Sequence, residues 1–362
     1  MGLTMEGSDD SSLVLRFGEA SKLLPVTFVI FMVVVLYFEY IFLHCMRLFQ
    51  LDLPVEFREA QVVARGWWHL ISFHIITAFL IYCLAKCILT CPGTVPEGKG
   101  WDQRTDVEED TTGAGDVELV EKKHTGERRF CKWCLKYKPD RCHHCRICNL
   151  CVLKMDHHCP WVYNCIGFRN HKYFFLLLVY AVFDLTLVNT TMFDTVWWST
   201  RVDVSVAMML GLFAGQSLAA FLWVLITAFL GFHIWLMSKA MSTVEFCEKS
   251  LKKSSYNSSM YSLGTYGNIC AVLGPHPLLW LLPISFPEGD ALTWSSKTAS
   301  SSTTLASSNS DQPRRRSREA TSSQQDASSG GGRSDRTKKG STENATSAEQ
   351  AQTTTGEPQA AG

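Results

Sequence analysis

The chain has 362 residues, with 34 basic and 34 acidic side chains, a formal net charge of zero and a mean hydropathy of +0.03. Balanced charge argues against a global nucleic-acid surface, so no nucleic acid is expected as a partner, and the neutral mean hides very apolar runs alternating with very polar ones. Of 14 cysteines, eight crowd between Cys131 and Cys165 among histidines; a secreted disulfide scaffold does not need those histidines, and a zinc site does.

Residues 1–23 form a polar leader, expected to be a cytoplasmic N-terminus. Glu6 stands where a myristoylation motif wants Ser or Thr. The apolar run that follows is too long for a signal peptide and lacks a small-residue cleavage site. Four stretches are long enough to cross a bilayer as helices, a crossing that needs about 20 residues: 24–44, 67–89, 173–191 and 206–237. Trp67, Trp68, Trp197 and Trp198 fall at one set of span ends, where amphipathic rings anchor at headgroups. The loop Cys91–Lys172 carries 14 Lys/Arg, whereas the opposite loops hold only Arg47, Arg58, Arg65 and Arg201. The positive-inside rule therefore places both termini and the long loop in the cytoplasm, where thiolates stay reduced. Within that loop, Asp106–Glu121 reads as a flexible acidic linker and residues 125–172 as a cysteine-rich domain. A C-terminal region (238–287) follows the last span. Beyond it lies a tail (288–362) too poor in large apolar residues to order itself, and its Arg314–Arg316 and Arg318 read as solvated. The expected fold class is an all-α membrane protein: four transmembrane helices with a cytoplasmic, loop-rich double zinc-finger domain between helices 2 and 3.

The cysteine-rich segment contains a repeat. Cys131, Cys134, His144 and Cys151 read C-x2-C-x9-H-x6-C, and adding fourteen to each number gives Cys145, Cys148, His158 and Cys165. Each set supplies three thiolates and an imidazole, a closed tetrahedral donor set for one structural Zn2+. A polar unit this small has no core of its own, so two zinc ions would supply its folding free energy.

The repeat also leaves a thiol over. Cys159 stands where a third copy would begin, but the partner position is Val162. Asp156 and His157 precede it, and His157 has no place in either metal set. An imidazole can take the thiol's proton, and a carboxylate on the far ring nitrogen fixes the tautomer and stabilises the imidazolium. Asp156, His157 and Cys159 are thus a local candidate triad. Cys142 is spare too, but has no carboxylate at the matching place and reads as filler.

Asp156–Gly167, reading Asp-His-His-Cys-Pro-Trp-Val-x-Asn-Cys-x-Gly within the doubled frame, resembles the DHHC protein S-acyltransferases. Pro92-Gly93 is similar to the family's Asp-Pro-Gly, with Cys91 in place of Asp. Ser242-Thr243-Val244-Glu245 is similar to its Thr-Thr-x-Glu. Tyr261, Gly264, Asn268, Val272 and Gly274 resemble its C-terminal motif. The resemblance covers residues 24–285. It implies a palmitoyltransferase in which Cys159 takes a long-chain acyl group from acyl-CoA, with His157 as base and Asp156 orienting it. The acyl group then passes to membrane-proximal cysteines of protein substrates. It further implies that Asn268 braces the C-terminal segment, that Thr243 and Glu245 contact the core unit, and that the spans form an acyl tunnel. The Golgi is the expected membrane, with the endoplasmic reticulum and plasma membrane as alternatives.

Asp184, about three turns into the third span, is a costly intramembrane carboxylate and a candidate for the tunnel's closed end. The alternative is that it pairs with another span, Glu39 being one partner. Two other functions compete with the enzyme: a membrane-anchored zinc scaffold with an inert Cys159, and a small channel or transporter. The intact Asp156-His157-Cys159 set favours the enzyme, and the spans lack the charged rows or broken helix pairs of a transporter.

Overall fold

The computed structural model describes residues 20–98, 100–102, 119–123, 125–252, 260–284 and 289–294. The expected polar leader up to residue 19, most of the acidic linker and nearly all of the tail lie outside the described residues. Four helices are long and apolar enough to cross a membrane, and the cysteine-rich unit lies between the second and third. The expected fold class is therefore observed.

In hydrocarbon every backbone N–H and C=O must be paired within the segment, so each apolar run is helical throughout. The first helix, α1 (Ala20–Glu39), continues through a π-helical stretch, Tyr40–Cys45, and a last turn, Met46–Leu48. The wider turns bring both Tyr40 and His44 to the protein interior. There the Tyr40 hydroxyl meets Thr191 Oγ1 at 2.7 Å, and His44 lies 2.7 Å from Thr195 Oγ1 and 3.0 Å from His69. Helix α2 (Ala60–Leu89) and helices α3 (His171–Ser199) and α4 (Val206–Ser238) complete the set. Ser205 caps α4 by accepting from the Met208 N–H at 3.2 Å. Helix α3 is the most buried of the four and packs on both α2 and α4.

The segment between α2 and α3 is three two-stranded antiparallel hairpins. These are β1 (Phe130–Cys131) with β2 (Lys136–Tyr137), β3 (His143–Cys145) with β4 (Leu150–Val152), and β5 (His157–Cys159) with β6 (Asn164–Ile166). Cys131 pairs with Lys136, Cys145 with Leu150 and Cys159 with Asn164. Each pair is the previous one moved by fourteen residues. The turns repeat as well: Leu135, Asn149 and Tyr163 all have φ near +50°. Three knuckles therefore share one backbone, although only two carry a full donor set.

The third knuckle is fixed to the membrane helices. The last carbonyls of a helix lack intrahelical partners. At the end of α2 the Asn164 amide donates to the Cys87 and Thr90 carbonyls, at 2.9 Å each. Asn170, fully buried, donates to the Cys165 carbonyl and accepts from the Gly167 N–H, linking β6 to the start of α3. A Cβ on Gly167 would lie 2.6 Å from Val152 Cγ1 and 2.8 Å from the Pro92 carbonyl, so only glycine fits there.

After α4 come two short helices, α5 (Thr243–Lys252) and α6 (Thr265–Leu273). Ser242 and Glu245 form a capping box: the Ser242 N–H reaches the Glu245 carboxylate at 2.9 Å, and the Glu245 N–H reaches Ser242 Oγ at 3.2 Å. Val272 and Leu273 of α6 bury against Phe175, Val179 and Met237. Lys172 Nζ donates to the Leu273 and Leu279 carbonyls, closing this segment onto α3.

Candidate functional site

Both expected donor sets assemble. Cys131, Cys134, His144 and Cys151 bring four ligand atoms within 4.8 Å of one another, and Cys145, Cys148, His158 and Cys165 do the same. In the second set His158 Nδ1 lies 3.7, 3.4 and 3.6 Å from the three sulfurs. In the first, His144 Nδ1 is 3.3 Å from Cys134 Sγ and 3.9 Å from Cys151 Sγ. Zn–S bonds near 2.3 Å and Zn–N near 2.0 Å imply ligand separations of about 3.5 to 3.8 Å in a tetrahedron. Cys148 and Cys165, 3.5 Å apart, remain separate thiols. Each set can hold one zinc ion. The pairings His144 with Cys151 and His158 with Cys165 place two ligands directly opposite on each ladder. Cys142 is fully buried in the apolar cluster beneath the first set.

Cys159 stands outside both sets, on the third knuckle. Its turn is a single 3₁₀ turn, Pro160–Val162, and Val162, 2% exposed, points with Cys159 into an apolar cluster. All four membrane helices contribute to that cluster, through Val29, Leu84, Cys87, Phe174, Leu178 and Leu230. The missing thiol at position 162 is thus a hydrophobic contact with the spans. The nucleophile candidate sits where the zinc-type unit meets the membrane-spanning bundle.

His157 Nδ1 lies 2.7 Å from Asp156 Oδ2, and Cys159 stands two residues further along the same strand, β5. The Phe174 ring packs edge-on against the imidazole at 5.1 Å. Burial alone would push the His157 imidazole down, but its hydrogen bond to Asp156 and the neighbouring Cys159 raise it to about 9. Burial would likewise raise Asp156. The His157 hydrogen bond instead holds it well below the usual carboxylate range.

Asp156 is held from a distant part of the chain. The N-terminus of α5, rich in unpaired N–H groups, is aimed at it. Thr243 donates its N–H to Oδ1 at 3.0 Å and its hydroxyl to Oδ2 at 2.8 Å, and the Val244 N–H reaches the Asp156 carbonyl at 3.2 Å. Beside this, Arg141 and Glu245, each 3% exposed, form a forked pair at 2.6 and 2.9 Å. Arg141 also donates to the Ala240 carbonyl at 2.8 Å. Asn268 donates to the Ser238 carbonyl at the end of α4 at 2.9 Å and accepts from the Leu263 N–H at 2.8 Å. Asp184 lies apart from this constellation, in α3, where it accepts the Thr77 hydroxyl at 2.8 Å. The Glu39 carboxyl lies against Gly215 of α4.

Sequence reasoning passed over Arg141, Asn164, Asn170, His171 and His233. The fourteen-residue register could have flagged Asn164, since it replaces Lys136 and Leu150 at the partner position of the knuckle cysteine. Arg141 carries no local signal, because its carboxylate partner lies 104 residues further along the chain.

A thiol, an imidazole and a carboxylate lie together on a zinc-type knuckle against four membrane helices. The DHHC palmitoyltransferase family pattern matches residues 124–250. Palmitoyltransferase ZDHHC15 of Mus musculus is 32% identical over 285 residues, 74% of this chain and 80% of that protein. Palmitoyltransferase ZDHHC15 of Xenopus laevis is 37% identical over 177 residues, 48% of this chain and 52% of that protein. Palmitoyltransferase ZDHHC2 of Rattus norvegicus is 32% identical over 238 residues, 61% of this chain and 64% of that protein. The chain therefore spans between about half and four fifths of these relatives' lengths. It belongs to the DHHC palmitoyltransferase family.

Proposed function

We propose that the chain is a protein S-acyltransferase that moves a long-chain acyl group from acyl-CoA to cysteine thiols of membrane-associated proteins. The observation that carries the reading is the hydrogen-bonded Asp156–His157 pair beside Cys159, on the knuckle that lacks a metal set. His157 takes the Cys159 proton, and Asp156 stabilises the resulting imidazolium. The Cys159 sulfur attacks the thioester carbonyl of acyl-CoA. The bond from that carbonyl to the CoA sulfur breaks, CoA leaves with a proton, and an acyl-Cys159 remains. A substrate thiol gives its proton to His157 and attacks this second thioester; the bond from the carbonyl to Cys159 breaks, the proton passes from His157 to the Cys159 sulfur, and thioester energy is kept at each step. The two zinc ions, bound by the eight ligands named above, would supply folding free energy to the unit that carries the nucleophile.

The apolar cluster from all four spans around Cys159 supports an acyl site running into the membrane. Asp184 lies about 16 Å further along α3 than Tyr173, which borders Cys159, at 1.5 Å of rise per residue. We place the closed end of the acyl site there. The basic loop and C-terminal region support a cytoplasmic face for the zinc unit and both termini.

The test is incubation of the purified protein with palmitoyl-CoA. Wild type is expected to gain a hydroxylamine-sensitive acyl label that Cys159→Ser does not. Equal labelling of the two would leave the scaffold reading in its place.

A further inference from the structure

A third group of ligand-type atoms lies where the catalytic loop meets the membrane helices. Asp156, His171 on the first turn of α3 and His233 near the end of α4 each offer one atom, all within 4.8 Å of one another. Neither histidine belongs to the fourteen-residue frame, and the mechanism above uses neither. Asp156 is 1% and His233 4% exposed. His171 Nδ1 and His233 Nε2 are buried without a hydrogen-bond partner, a condition that costs about 1–3 kcal/mol per group. An ionised carboxylate has about four acceptor positions. Three of those on Asp156 are taken, by His157 Nδ1 and by the N–H and hydroxyl of Thr243. One remains on Oδ1.

In the tautomers that leave the nitrogens of that group unprotonated, three acceptors face one another. A water has two protons and satisfies two of them, whereas a divalent cation satisfies all three. The surrounding cations are engaged: Arg141 pairs with Glu245, and Lys154 lies over the Trp294 ring at 5.5 Å. His171 also lines a cavity with Arg141, Asn268 and Tyr261.

We propose that Asp156, His171 and His233 form a third metal site, a two-nitrogen, one-oxygen set for Zn2+ with an open coordination position. Two imidazoles and a carboxylate suit a borderline-soft ion. Zn–N and Zn–O bonds of 2.0–2.2 Å need ligand atoms about 3.4 Å apart, so side-chain rotations of about an ångström close the set. The site differs from the other two in having no thiolate, and its affinity is correspondingly weaker. It shares Asp156 with the proposed acyl-transfer machinery. Occupation draws on the carboxylate that orients His157, so excess zinc acts as a brake.

The metal count is made on the purified full chain carrying Cys159→Ser, which removes the free thiol and makes the result independent of catalysis. Titration with Zn2+ against a competing chelator is expected to give two tight equivalents and a third, weaker one. In Cys159→Ser with His233→Ala the third is lost and the two tight ones remain, which also shows that the variant is folded. Loading with Co2+ separates the sites, because thiolate ligation gives intense charge-transfer absorption and the third site adds none. On chains retaining Cys159, excess Zn2+ is expected to slow acyl labelling by about a hundredfold, the low end of what a positioned base contributes, and to leave the rate of His233→Ala unchanged relative to its own value without added zinc. Two equivalents only, or a third that survives His233→Ala, would mean that a trapped water or an adventitious ion occupies the space, and the site falls. Failure of labelling in wild type that holds its two tight equivalents, with no zinc added, would instead count against the acyltransferase reading and leave the metal count standing.

Discussion

At the residue scale, the proposed chemistry concentrates on His157. Its value near 9, against an ordinary 6.5, means that the folded protein holds this proton more tightly than the unfolded chain does. The stabilisation is therefore full below the unfolded value and is lost as pH rises through about 9. A difference in Tm between the protein and His157→Gln is expected near pH 6 and should shrink away by about pH 10. A difference that stays constant over that range would rule out the charged His157–Asp156 pair. Asp184 is the second residue whose burial demands an account. One of its oxygens takes the Thr77 hydroxyl and the other has no partner. If the carboxyl closes the acyl site, Asp184→Tyr will change the chain-length profile of acyl-CoA use and leave zinc content at its wild-type value. An unchanged profile would remove Asp184 from the acyl site.

At the element scale, the third knuckle behaves as a cap for α2. Asn164→Ala strips the Cys87 and Thr90 carbonyls of their donor in a fully buried position. A loss of about 1–3 kcal/mol per unsatisfied group is expected as a lower Tm, with acyl labelling reduced and zinc content unchanged. Loss of zinc along with stability would show instead that Asn164 supports the metal sets. The knuckles also show how far sequence reasoning reaches. The four helices were legible because hydrocarbon demands unbroken apolar runs, and the zinc sets because metal geometry imposes fixed spacing. Cys159 was legible by subtraction, since Val162 stands where a ligand would be needed. The clamp on Asp156 was not. Thr243 lies 87 residues away, and nothing in its local pattern says which carboxylate its hydroxyl meets. The π-helical stretch at Tyr40–Cys45 was equally silent, because it answers to Thr191, Thr195 and His69 on other helices rather than to its own periodicity.

At the scale of the whole molecule, two kinds of stability meet at one residue. The spans are held by lipid-driven backbone pairing and side-chain packing, whereas the knuckle unit carries two donor sets that could hold metal. Stripping zinc with a chelator is expected to open residues 130–166 to protease and abolish acyl labelling, while the far-UV helical signal of the four spans persists. Collapse of that signal together with the labelling would show that the two parts are not separable. The same division explains why Cys159 lies on the boundary. Its backbone belongs to the knuckle unit, and its side chain lies among residues of all four spans.

The contacts from Thr243 to Asp156 and from Glu245 to Arg141 have a topological consequence as well. They act as a buckle, closing the stretch that holds α3, the turn at Thr200–Ser205 and α4 into a ring fastened at the end where Cys159 sits. A ring fastened by a buckle can be cut opposite it without coming apart. The turn between α3 and α4 is thus the natural place to divide the chain into two separately encoded pieces, since the reacting end would still be fastened by side chains rather than by the peptide strand.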